Sequence, residues 1–140
     1  LNPKNTMTSD NPISVLRGVI VHGKGKGRTV GMPTANLRPE RGMEIPGEGV
    51  YASIVNIRDG EYIGVTNIGR RPTVDNEEKI TIETNILDFD RDIYGEYMTL
   101  RIMSYLRPIR KMNSLEEVKE QVEKDKMKAI EILDSELISP

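Results

Sequence analysis

From residue 79 to residue 87 the chain reads K-I-T-I-E-T-N-I-L, and residues 97–106 (Y-M-T-L-R-I-M-S-Y-L) show the same alternation of apolar and polar side chains. A period of two is the mark of a strand with one buried face. Ile80, Ile82 and Ile86 share a face with Thr84, whereas Thr81, Glu83 and Asn85 share the other; in the later run Met98, Leu100, Ile102 and Leu106 fall on one side. Val15–Val21 and Val50–Ile57 are shorter strand-like runs. Tyr62–Ile68 reads as the return strand of a hairpin turned at Arg58-Asp59-Gly60-Glu61, where Asp-Gly signals a tight turn. A further strand is expected to start near Pro33. Residues 38–49, with Pro39, Gly42, Pro46, Gly47 and Gly49, form an irregular connection. Residues 69–78 read as a second polar loop, either a mobile one or a plain surface connection with Arg70 and Arg71 solvated.

The period changes once. Ser114 is placed to cap a helix, with Glu117 three residues on, and Leu115, Val118, Val122, Ala129, Ile130 and Leu133 then form a stripe at helical spacing. Short strands joined by tight turns, followed by one amphipathic helix at about 114–133, predict a mainly β domain. The expected architecture is a closed or nearly closed antiparallel barrel with the helix packed against it.

Residues 22–37 (H-G-K-G-K-G-R-T-V-G-M-P-T-A-N-L) carry the candidate chemistry. Gly23, Gly25, Gly27 and Gly31 alternate with Lys24, Lys26 and Arg28, so backbone N–H groups and cations could together enclose an anion. Neither common nucleotide fingerprint is present. No Gly-Lys is followed by Ser or Thr, and no G-x-G-x-x-G can be placed. Beyond Pro33, an extended chain would put Thr34 and Asn36 on one side, two neutral oxygen donors suited to Mg²⁺ beside bound phosphates. The same residues would also serve as a flexible basic turn followed by a strand with surface Thr and Asn. Glu83 is similarly open: ordinary on an outer face, a candidate general base if it faces a ligand cleft.

Bulk properties narrow the function classes. A chain of 140 residues is one domain. A net charge of −2, a pI near 5.6 and 4% aromatic residues argue against a nucleic-acid binder. With no cysteine and His22 the only histidine, thiol nucleophiles, histidine triads and multi-histidine zinc sites are excluded, which leaves a carboxylate as the natural general base. No apolar run is long enough for a membrane span, and a cytoplasmic monomer acting on small molecules is expected. Residues 1–12 read as a disordered leader, a linker or a tag remnant before a single domain at 13–140.

G-R-T-V-G-M-P-T-A-N-L (27–37) resembles the signature of the ATP-dependent riboflavin kinases. The similarity continues through G-V-Y-A (49–52), N-I-G-R-R-P-T (67–73), I-E-T-N-I-L (82–87), D-I-Y-G-E (92–96), Y-L-R-P (105–108) and the helix with Asp125. The resemblance implies a six-stranded Greek-key barrel with a C-terminal helix, converting ATP and riboflavin to ADP and FMN with Mg²⁺. It implies that Gly23, Lys24, Gly25, Lys26, Gly27, Arg28, Gly31 and Pro33 cover the nucleotide phosphates, and that Thr34 and Asn36 hold the metal. Glu83 would be the base, Arg107 would lie near the flavin or the product phosphate, and Thr73 would belong to a flap over the flavin. Asn85 stands where the family has a histidine. Nothing here matches the adenylyltransferase domain of many bacterial relatives, so such a domain is expected to stop at FMN unless it is part of a longer protein. The other reading is a flavin- or nucleotide-binding regulatory module that has kept the barrel without turnover.

Overall fold

The computed structural model describes residues 11–22, 34–58 and 60–138, the side chains of 134–138 excepted. Six strands precede one helix: β1 (Ser14–Val21), β2 (Thr34–Pro39), β3 (Gly49–Ile57), β4 (Gly60–Pro72), β5 (Glu78–Ile86), β6 (Tyr97–Arg107) and α1 (Leu115–Ile138). They close into a barrel in the order β1-β2-β5-β4-β3-β6, every pair antiparallel. β3, β4 and β5 are hairpin-connected, and β2 lies beside β5, which is the Greek-key arrangement. The expected architecture is therefore observed.

The alternation that identified the strands also fills the barrel. Leu16 and Ile20 of β1, Ile82 and Ile86 of β5, and Met98, Leu100 and Ile102 of β6 are all buried in one interior cluster. Three hydroxyls share this interior: Ser53 and Thr84 each lie 2.8 Å from the Thr66 hydroxyl, which satisfies groups that are fully buried. Outside the barrel, Ala129 and Leu133 of α1 pack on Val50, Ala52, Ile54 and Val65, the outward residues of β3 and β4.

Several local expectations need correction. β4 runs on to Pro72, so only residues 73–77 form the loop expected at 69–78. Arg70 is held instead of solvated, with Nη1 2.7 Å from Glu78 Oε1 and Nη2 donating to the carbonyl oxygens of Ile45 (2.7 Å) and Pro46 (3.0 Å). In the β3–β4 hairpin Gly60 already pairs with Ile57, so the loop proper is Arg58-Asp59, with Arg58 at φ 53°; Asp59 lies outside the described residues. Leu106 does not share the interior face of Met98. The register of β6 against β3 slips twice, leaving Met103 and Leu106 as bulged residues that pack toward α1. Finally, the helix runs five residues past 133, and Leu115 at its start is 48% exposed instead of part of the packed stripe.

Candidate active site

β2 and β5 bring the first site residues together through their pairing. Ala35 and Leu37 point into the barrel, so Thr34 and Asn36 face outward on β2. On β5 the buried residues are Ile82, Thr84 and Ile86, so Glu83 and Asn85 face outward as well. The register sets Thr34 opposite Asn85 and Asn36 opposite Glu83. Thr34 Oγ1 donates to Asn85 Oδ1 across a long 3.4 Å.

α1 turns this outer face into a cleft. A cavity of about 220 Å³ has Thr34, Asn67, Glu83 and Asn85 on the strand side and Val118, Gln121, Val122 and Asp125 on the helix side; Arg107, Ile109, Arg110 and Met112 complete it. The two readings of Glu83 thus merge: it is on the barrel's outside, and that outside is a half-enclosed site. Its location depends on a helix that begins some thirty residues later in the chain.

Arg107 ends β6 and is clamped from the helix. Its Nε lies 2.9 Å from Asp125 Oδ1 and its Nη2 2.8 Å from Asp125 Oδ2, while Nη1 donates to the Pro108 carbonyl oxygen at 3.0 Å. Asp125 is only 7% exposed and also accepts from Gln121 Nε2 at 3.0 Å. Gln121 Oε1 in turn accepts from Arg110 Nη2 at 3.0 Å. A two-pronged guanidinium–carboxylate pair fixes orientation as well as charge, so Arg107 presents an oriented, charge-compensated donor group and not a bare cation.

The structure brings Thr34, Glu83 and Arg107 to one cavity, with Asn36 beside Glu83 in the register. Thr73 is not in the cavity wall. It closes the β4–β5 loop, its N–H and hydroxyl both directed at the Glu77 carbonyl oxygen (2.9 and 3.0 Å). Gly23, Lys24, Gly25, Lys26, Gly27, Arg28, Gly31 and Pro33 lie outside the described residues. Asn67, Arg110 and Gln121 line the cavity without having been singled out in the sequence. The Gln121–Asp125 spacing of four residues was a usable signal for one helix face, and Asn67 opens the N-I-G-R-R-P-T run without its role being marked there; for Arg110 there was no signal.

A family model described as "Flavokinase: Riboflavin kinase" matches residues 11–133. The chain belongs to the riboflavin kinase family. Among curated relatives, it is 38% identical over 117 residues to a bifunctional riboflavin kinase/FMN adenylyltransferase of Bacillus subtilis, covering 82% of this chain and 37% of that protein. It is 37% identical over 114 residues to the RNA-binding riboflavin kinase RibR of the same organism, covering 81% of this chain and 48% of that one. A crystal structure described as a macrolide-efflux protein from Streptococcus pneumoniae superposes with a TM-score of 0.79 at 34% identity, over 87% of this chain and 40% of that chain. The chain thus spans less than half the length of each of these proteins. The family match, residues 11–133, takes in the six strands, most of α1 and the residues that line the cavity described above.

Proposed function

We propose that this domain transfers the γ-phosphoryl group of ATP to the 5′-hydroxyl of riboflavin, giving FMN and ADP, with Glu83 as the general base. The observation that carries the reading is the convergence of Glu83, Thr34 and the Asp125-clamped Arg107 on one cavity at the barrel's outer face. A carboxylate of Glu83 accepts the hydroxyl proton as the oxygen bonds to phosphorus and the bond from phosphorus to the ADP oxygen breaks. Phosphoryl transfer through a loose transition state asks the protein chiefly for position and charge compensation. The apolar side chains of Met112, Val118 and Val122 offer a flat ring a dry wall, and Arg107 offers it a fixed donor.

The donor chemistry fits Mg²⁺ at Thr34 and Asn36: a hydroxyl and a carboxamide, both hard oxygen ligands, on the same outward side of β2. Among the described residues no three or more His, Cys, Asp or Glu side chains gather to hold a metal, so an ion here would draw most of its ligands from phosphates and water. When bound, it would withdraw charge from the phosphate oxygens. The glycine-rich residues 23–33 would lie over the phosphates. A flavin role for Thr73 would require a ligand reaching along β4 to its tip.

The reading extends to a cytoplasmic monomer that uses small molecules, and the acidic pI of about 5.6 supports the absence of nucleic acid among its partners. RNA binding, in the name of RibR, belongs to a protein of which less than half is matched here. No helix among the described residues is long and apolar enough to cross a membrane.

Incubation of the protein with riboflavin, ATP and Mg²⁺, followed by chromatography with fluorescence detection, tests the reading. FMN is expected with Mg²⁺ and not with EDTA. Saturable riboflavin or ADP binding without FMN would overturn the kinase in favour of a binding module.

A further inference from the structure

Asn67 stands directly across the β4–β5 pair from Glu83, and none of the described residues engages its carboxamide. Its chain neighbours Thr66 and Ile68 both point into the barrel, one in the hydroxyl cluster and the other fully buried. Asn67 therefore faces outward. Two residues before it on the same face, Val65 is covered by α1; two residues after it, Gly69 has no side chain. Asn67 is the one side chain that β4 sends into the cavity. Among the described residues its amide and carbonyl make no hydrogen bond, although asparagine is disfavoured in strands.

Opposed residues on an antiparallel pair have Cβ atoms about 4.5–5.5 Å apart, so whatever reaches the Glu83 carboxylate passes within reach of Asn67. A carboxamide both donates and accepts, which matches a hydroxyl. It carries no charge to attract a phosphate, and the apolar wall suited to a ring lies across the cavity at Met112, Val118 and Val122. We propose that Asn67 is a specificity-determining residue that hydrogen-bonds a secondary hydroxyl of the substrate's polyol chain, next to the terminal hydroxyl served by Glu83. The inference rests on the kinase reading and deepens it: the site selects a polyhydroxylated arm, not merely a flavin with a terminal alcohol.

A cycle of two enzymes and two substrates tests this. The substrates are riboflavin and a flavin whose N10 chain is 5-hydroxypentyl, which keeps the terminal hydroxyl and lacks the others. The enzymes are the natural protein and Asn67→Ala, with Asn67→Ser as the second variant should the alanine form fail to fold. Loss of one neutral hydrogen bond predicts a fall in kcat/KM of about 3–10-fold for riboflavin, and of less than about 2-fold for the hydroxypentyl flavin. Equal falls on both substrates, or none on riboflavin, would overturn the assignment while leaving the kinase intact. A natural protein that phosphorylates neither substrate would overturn the kinase reading itself and this assignment with it.

Discussion

Glu83 sits opposite Asn36 on one side and Asn67 on the other, so a carboxylate is flanked by two neutral amides in a row across three strands. Glu83→Gln removes the proton acceptor while keeping shape. It is expected to lower kcat by about 10²–10⁴-fold with riboflavin affinity largely kept, as read from steady-state turnover and flavin fluorescence titration. Turnover close to that of the natural protein would take Glu83 out of the chemistry. Asp125 calls for a different measurement, because its work is to hold Arg107. Asp125→Ala strands a guanidinium that is only one-fifth exposed, and urea denaturation is expected to show a loss near the lower end of the scale for a broken buried pair, about 3 kcal/mol. An unchanged urea midpoint would mean that solvent already carries the Arg107 charge. At this scale the sequence was informative about residue type and spacing but not about enclosure. Glu83 could be placed on the face opposite Ile82, yet whether that face met solvent or a cleft depended on α1, and Asp125 gave no sign of its partner.

Elements are where alternation reads best and where its limits show. β5 and the interior face of β6 follow the period-two pattern because each buries one face against a closed interior. The pattern misleads at Leu106 because a bulge changes which side a residue faces without altering the letters around it. It also stops short in β4, where Gly69, Arg70 and Arg71 look like loop residues. They are strand because β5 pairs with them, and Arg70 spends its donors on the 45–46 carbonyls. The β1–β2 pair has a contact of its own. Gly18 lies opposite Pro39, and a Cβ there would overlap the Arg38 carbonyl oxygen and stand 2.8 Å from the Arg38 carbonyl carbon. Backbone cannot rotate away as a side-chain tip can, so Gly18→Ala is expected to force β1 from β2 and cost about 3 kcal/mol, at the upper end of overpacking. Because β2 carries Thr34 and Asn36, the variant should also need more Mg²⁺ for half-maximal turnover. Unaltered thermal stability would show that the two strands can part without cost.

For the whole molecule, the barrel's tolerance of alkali follows from two tyrosines. Tyr51 is 6% exposed, and its hydroxyl donates to the Gly47 carbonyl oxygen at 2.8 Å, tying β3 to the connection before it. Burial pushes its pKa above 10.0, the nearby Tyr105 adds to this, and Arg70 opposes it. Tyr97, on the outside, is also raised, chiefly by the 2.6 Å hydrogen bond that its hydroxyl donates to Glu40 Oε2. In both cases folding favours the protonated phenol. The native state therefore keeps protons that the unfolded chain releases, so this contribution is complete below about pH 10 and is lost as pH rises through the native pKa. The melting temperature is accordingly expected to fall between about pH 9 and about pH 11. Tyr51→Phe should flatten that fall, while losing about 1 kcal/mol at neutral pH for the missing hydrogen bond. Tyr97→Phe should flatten it less, since an exposed phenol in a salt-screened solution transmits little of its pairing to the fold. If the Tyr51→Phe protein loses stability with the same slope, the alkaline transition belongs to other groups.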